Sequence, residues 1–155
     1  KFQLQEAERV LSRKCLLTNQ IQYNMVMTRD RDGVADHCRE KEIEILAFSP
    51  LGAGLLLGSD EVEPQRLRRY GLDSAAGREG YLNLNAILGD IARQREKTVP
   101  QVALNWMLCQ DMTIPIVGPD RVEHVEDHSG AVGWRLERDE IVKIDGMAAR
   151  LRSAT

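Results

Sequence analysis

Apolar positions along this 155-residue chain alternate between helical spacing and short continuous runs. Residues 4–13 carry apolar side chains every three or four positions, which predicts a helix, and the run at 16–21 predicts a strand. The same unit then repeats, because residues 34–42 predict a second amphipathic helix and residues 43–48 a second buried strand. Helix and strand therefore follow one another twice within the first third of the chain.

The alternation continues after a polar interruption at residues 58–80, which we interpret as a lid-like excursion over a strand end. Beyond it the pattern predicts, in chain order, a helix over 82–95, a helix capped by Thr98, a strand over 113–117, and helices over 121–130 and 137–151. Strands alternating with helices favour a parallel α/β protein, either doubly wound or a (β/α) barrel. A complete barrel takes about 250 residues, so this chain supplies only part of one.

Composition narrows the class of protein. The chain is 43% hydrophobic, which suits one domain over residues 1–155, and its 21 basic and 24 acidic residues leave a net charge of -3. That balance favours neither nucleic acid nor an anionic membrane as a partner, and no apolar run is long enough to span a bilayer. Cys15, Cys38 and Cys109 are odd in number and far apart in the sequence, which favours a reducing compartment over a disulfide framework. We therefore expect a soluble, intracellular protein, in the cytoplasm or an organelle.

The candidate chemistry begins where the second strand meets a loop rich in Pro and Gly. Phe48 stands at the mouth of this loop, and Gly52 and Gly54 lie within it. An aromatic ring offers a flat surface to a cofactor ring, and glycines allow the backbone to approach an anionic group closely. Glycines at this spacing are also common in ordinary turns, so the pattern alone leaves both interpretations open.

Four ordered motifs resemble those of the aldo-keto reductases. They are TNQIQYN at 18–24, AFSPLG at 47–52, PQVALNW at 100–106, and IPIVG at 114–118 followed by RVEH at 121–124. The resemblance covers nearly the whole chain but only the C-terminal half of the family's barrel. It implies a partial (β/α)8 TIM barrel made of the last three strands, 6 to 8, with their helices.

The resemblance also implies a cofactor site. Gln20 matches the residue that hydrogen-bonds the nicotinamide carboxamide, and Phe48 stands where the family has an aromatic stacked on the nicotinamide. The pyrophosphate loop corresponds to Ser49, Leu51, Gly52 and Gly54.

The segment after the third strand corresponds to the part of the family that receives the adenosine 2′-phosphate and adenine. Arg121 matches the phosphate-binding position, and its forked guanidinium suits a phosphate, so we expect NADP(H) rather than NAD(H). The other residues that this correspondence assigns to the cofactor are Val117, Gly118, His124, Asp127 and His128. A metal site at the two histidines is not expected, because Val125 replaces the Glu of the zincin pattern and no third ligand is evident.

The family's catalytic tetrad of Asp, Tyr, Lys and His lies on the first four strands, so no catalytic residue maps onto this chain. The resemblance implies the cofactor-binding half of an NADPH-dependent oxidoreductase that reduces aldehydes or ketones. A non-catalytic structural or regulatory subunit with the same scaffold is the alternative. In either case the N-terminal half of the barrel, or another protein chain, is expected to cover the open sheet. A small carbonyl compound is the expected substrate.

Overall fold

The computed structural model of the protein describes residues 1–11, 16–27, 33–59 and 61–153. Within them the elements are α1 (Phe2–Leu11), β1 (Thr18–Gln22), α2 (Val34–Glu40), β2 (Glu44–Phe48), α3 (Pro64–Arg69), α4 (Ala75–Arg95), α5 (Val99–Leu108), β3 (Thr113–Ile116), α6 (Val122–Ser129) and α7 (Arg138–Ser153). A short 3-10 turn at Gly52–Gly54 follows β2. The predicted end of the first helix and the prediction on Cys15 fall outside the described residues.

The strands form one parallel sheet in the order β1-β2-β3, which confirms the predicted α/β class. In the register of the sheet, Gln22 lies opposite Phe48, and Phe48 lies opposite Ile116. Because alternate residues of a strand share a face, Gln20 and Leu46 project to the same side as this row. That side is open, with Phe48 39% and Ile116 40% exposed.

The opposite face of the sheet is covered by helices and carries the hydrophobic core. Ile45 and Ala47 of β2 are completely buried there. The Tyr23 ring, just beyond β1, stacks on Trp106 of α5 with 6.2 Å between ring centroids. Trp106 is thus a packing residue, as its apolar stripe predicts. No helix among the described residues is both long enough and apolar enough to cross a bilayer.

The polar segment 58–80 differs from its predicted form. It contains α3 and the first six residues of α4, which begins at Ala75 rather than at residue 82. Ser74 caps α4 by accepting a hydrogen bond from the Gly77 backbone N–H at 3.0 Å. Leu67 and Leu72 are buried in the core, so this excursion packs on the domain. Its action as a lid stays a prediction.

The predicted cap of α5 is confirmed. The Thr98 hydroxyl accepts from the Gln101 backbone N–H at 3.3 Å, and the Gln101 side chain accepts from the Thr98 N–H at 3.2 Å. This reciprocal capping box satisfies two donors that the first turn would otherwise leave unpaired. It fixes the start of α5 beside the site described below.

Candidate cofactor-binding site

The loop after β2 turns sharply at the carboxyl edge of the sheet. Ser49 has φ of 53° and Gly52 has φ of 60°, both in the left-handed region. The Gly52 N–H donates to the Ser49 carbonyl at 3.0 Å, and the Gly54 N–H donates to the Leu51 carbonyl at 3.1 Å. These donors are already engaged within the loop. The glycines therefore set its shape and its close approach rather than offering N–H groups to a ligand.

A buried asparagine after β1 holds this loop in place. Asn24 is completely buried, and its amide nitrogen donates to the Ser49 carbonyl at 2.9 Å. Its amide oxygen accepts from the Met27 backbone N–H at 2.8 Å. A Cβ at Gly52 would lie only 3.0 Å from Val26, so the turn after β1 and the loop after β2 are packed together. Sequence reasoning placed Asn24 in a motif but gave it no role.

Gly54 lies directly beneath an arginine of α3. Its φ is 92°, and a Cβ built on it would collide with the Arg66 guanidinium. The Arg66 side chain is 43% exposed and lies 3.6 Å from the Glu63 carboxylate, one turn earlier. The loop thus has a guanidinium over its second glycine. Arg66 is a candidate that sequence reasoning missed, because it lies in a segment interpreted only as a polar excursion.

An open cleft of about 770 Å³ lies between this loop and the segment that links β3 to α6. The residues lining it are Ser49, Pro50, Leu51, Ala53, Gly54, Leu57, Pro100, Ile116, Val117, Gly118, Asp120, His124, Asp127 and His128. Eight of the predicted site residues meet here. Gln20, Phe48, Gly52 and Arg121 lie outside the lining, and Asp120 is a lining residue that sequence reasoning did not select.

Gln20 and Phe48, the predicted nicotinamide partners, project from the same open face of the sheet. They come from neighbouring strands, since Gln20 pairs with Leu46 two residues before Phe48. Beside them Gln22 donates to the Tyr70 hydroxyl at 3.2 Å. Burial raises the pKa of Tyr70 above its ordinary value, although Arg69 and the hydrogen bonds oppose the shift. A residue of the 58–80 segment therefore reaches the end of β1.

Polar groups at the start of α6 are concentrated around one carboxylate. His124 Nδ1 lies 2.7 Å from Asp120 Oδ1, and Arg121 Nε lies 3.9 Å from the same oxygen. The hydrogen bond from His124 lowers the pKa of Asp120 below its ordinary value. Arg121 is the N-cap residue of α6, and its side chain is 69% exposed.

The other two predicted adenosine contacts on α6, Asp127 and His128, differ in their hydrogen bonds. The Asp127 carboxylate accepts from the Thr98 hydroxyl at 2.9 Å and from the Gln101 amide at 3.2 Å, so it ties α6 to α5. His128 stacks on His124 with centroids 6.1 Å apart, and its Nδ1 is buried with no hydrogen-bond partner in the described chain. Across the described ranges, no group of three metal-ligating side chains is present.

The position of the cleft in the fold indicates the class of protein. The cleft lies at the carboxyl ends of parallel strands, which is where α/β proteins bind ligands. The sequence model of the Aldo/keto reductase family matches residues 2–149. The chain belongs to the aldo/keto reductase family, which is a family of oxidoreductases.

Individual relatives agree with this assignment. Chloroplastic pyridoxal reductase of Arabidopsis thaliana is 35% identical over 131 residues, covering 84% of this chain and 36% of that protein. The NADP(+) aldo-keto reductase yakc of Schizosaccharomyces pombe is 32% identical over 120 residues, covering 74% of this chain and 35% of that protein. The chain thus spans little more than a third of the length of these relatives.

A solved structure confirms the fold. Glycerol dehydrogenase from Gluconobacter oxydans superposes with a TM-score of 0.78 at 23% identity, covering 94% of this chain and 46% of that one. The predicted partial barrel is therefore confirmed. The roles of the individual site residues stay predictions.

Proposed function

We propose that this chain is the cofactor-binding half of an NADPH-dependent oxidoreductase that reduces aldehydes or ketones, with its catalytic tetrad outside the chain. The observation that carries the proposal is the cleft of about 770 Å³ joining the loop after β2 to the start of α6. Two predicted parts of a dinucleotide site, distant in sequence, line one continuous cavity. When bound, the nicotinamide supplies the hydride.

The nicotinamide end of the proposed site is the open face of the sheet. Gln20 has an amide that donates and accepts, which matches a carboxamide, and Phe48 offers a ring for stacking. Both residues are at strand positions, so the scaffold holds them in place.

The phosphate end of the proposed site relies on guanidinium groups. Gly54 permits Arg66 to lie against the loop. Its guanidinium is proposed to meet the pyrophosphate, since forked donors suit phosphate oxygens. Arg121, whose side chain is 69% exposed, is proposed to meet the 2′-phosphate, and His128, which lines the cleft, to meet the adenine. Under this proposal Arg66 and Arg121, which flank the cleft outside its lining, supply cations to the two anionic parts of NADPH.

The proposed pairing of Arg121 with the 2′-phosphate is tested by competition. We call this chain, together with the barrel elements proposed to complete it, the intact protein. In the intact protein we expect 2′-phospho-AMP to displace bound NADPH better than AMP does. Arg121→Ala should reduce that advantage by roughly tenfold, the scale of one charge-assisted hydrogen bond.

Arg150→Ala is the matched control, since Arg150 is exposed on α7 and lies outside the cleft. It should leave the advantage of 2′-phospho-AMP unchanged. Equal displacement by the two nucleotides in the unmutated protein would refute the proposed NADPH preference.

A further inference from the structure

The loop between β3 and α6 places a carboxylate where the proposed 2′-phosphate would arrive. Asp120 lines the cleft, whereas its neighbour Arg121 does not. The Asp120 carboxylate lies 2.7 Å from His124 and 3.9 Å from Arg121. One acidic side chain therefore already engages Arg121, the group proposed to meet the 2′-phosphate, and His124, a predicted adenosine contact.

We propose that Asp120 is a cofactor-specificity residue, which competes with the 2′-phosphate for Arg121 and so weakens the preference for NADPH over NADH. This proposal rests on the proposed function above. A carboxylate repels an arriving phosphate dianion, because like charges in one site disfavour each other. By contrast, a carboxylate accepts a hydrogen bond from the free 2′-hydroxyl of NADH.

The neighbouring carboxylates differ from Asp120 in their surroundings. Asp127 also lines the cleft, but Thr98 and Gln101 hold its carboxylate against α5. Glu123 lies in the first turn of α6, is exposed, and is outside the cleft lining. The Asp120 side chain is 75% exposed and remains accessible to an arriving ligand. Asp120 is therefore the carboxylate that competes with the 2′-phosphate for Arg121.

The test is Asp120→Asn in the intact protein, with NADPH and NADH affinities measured separately by fluorescence titration. Asparagine keeps the shape of the side chain and removes its charge. We expect NADPH to bind about threefold to fivefold more tightly, the range of an exposed ion pair, with NADH affinity equal or lower. Raising the salt concentration to about 0.5 M should shrink the gain, because the Debye length falls well below 10 Å.

Glu123→Gln is the matched control, since it removes the same charge from the same helix terminus. It should leave the ratio of NADPH to NADH affinity close to that of the unmutated protein. The proposal is overturned if Asp120→Asn does not raise the ratio of NADPH to NADH affinity, or if Glu123→Gln raises it equally. The proposed function stands in both cases. If the unmutated protein binds neither dinucleotide, the proposed function fails and this proposal fails with it.

Discussion

Asn24 holds the loop after β2 in place through two side-chain hydrogen bonds. Replacing it with alanine removes the donor to the Ser49 carbonyl and the acceptor for the Met27 N–H. Because the site is buried, we expect Asn24→Ala to lower the free energy of unfolding by about 1–3 kcal/mol, measured by urea denaturation. Asn83→Ala, at an exposed position of α4, should change it by less than about 0.5 kcal/mol. Equal effects of the two variants would contradict a role for Asn24 in the loop.

Gly54 tests the close approach of Arg66 to the loop. Alanine at this position must adopt φ of 92° and displace the guanidinium, so we expect Gly54→Ala to weaken NADPH binding by the intact protein and to destabilise it by about 1–2 kcal/mol. Gly146→Ala is the matched control on α7, where a Cβ would have no neighbour within 4 Å. Removing a helical glycine there should raise stability by about 0.5–1 kcal/mol. Unchanged stability and NADPH affinity in Gly54→Ala would argue against the packed arrangement.

Some residues of the candidate site could be predicted from the sequence, and others could not. The predicted residues around Gly54 and His128 do meet in one cleft, because they belong to motifs with fixed positions in the family. Arg66 had no such motif, and it lies in a run that includes Arg68 and Arg69. Only the path of the backbone decides which of these side chains reaches the loop.

At the scale of elements, an ion-pair network joins α4 to α7. Arg95 contacts Glu140 at 2.8 Å and Glu137 at 2.7 Å, and Glu140 also accepts from the Glu137 backbone N–H. Glu140 is 5% exposed. Burial alone raises the pKa of Glu140, but hydrogen bonds from Arg95 and the backbone outweigh it, so that pKa lies below its ordinary value.

We expect Glu140→Gln to lower the free energy of unfolding by about 1–2 kcal/mol at neutral pH. The folded-state pKa is below the unfolded value, so the folded protein binds fewer protons and this stabilisation is fully present above about pH 4.3. It is lost as the pH falls through the folded-state pKa. Urea denaturation of both proteins between pH 3 and 7 measures the difference.

Glu137→Gln is the matched control for this pair. Glu137 contacts the same arginine, but its side chain is 67% exposed, so its loss should cost less than about 1 kcal/mol. A stability difference between the unmutated protein and Glu140→Gln that stays constant down to pH 3 would contradict the assigned coupling.

Helix α4 begins seven residues earlier than predicted, at Ala75 instead of residue 82. Residues 75–81 contain two glycines, which indicate a loop in the sequence. In the structure a Cβ at Gly77 would lie 2.9 Å from the Leu72 Cα, and one at Gly80 would lie 2.9 Å from the Leu151 side chain. These glycines allow the helix to pack closely against its neighbours. Such tertiary contacts leave no periodic signal in the sequence, whereas the amphipathic remainder of α4 does.

At the scale of the molecule, the open face of the sheet agrees with a partial barrel. Phe48, Ile114 and Ile116 are about two-fifths exposed there, on the side that faces the interior in a closed barrel. We propose that the missing half of the barrel covers this apolar face. The sequence predicted the partial barrel because its motifs are local, whereas no motif in its 155 residues identifies what covers this face.

The 155-residue chain alone should not reduce a carbonyl compound with NADPH, because the resemblance places the whole tetrad on other strands. Oxidation of NADPH is measured by the loss of its absorbance in the presence of a panel of aldehydes and ketones. The intact protein is assayed in parallel for comparison. Measurable turnover by the chain alone would contradict this expectation. Turnover by the intact protein would favour the enzyme over a non-catalytic subunit.

Fluorescence titration of the intact protein with NADPH and NADH measures whether the cleft binds a dinucleotide and which one it prefers. We expect saturable binding of both dinucleotides, with the tighter binding for NADPH because Arg121 is proposed to meet the 2′-phosphate. Failure to bind either dinucleotide, or equal affinities for the two, would contradict this proposal.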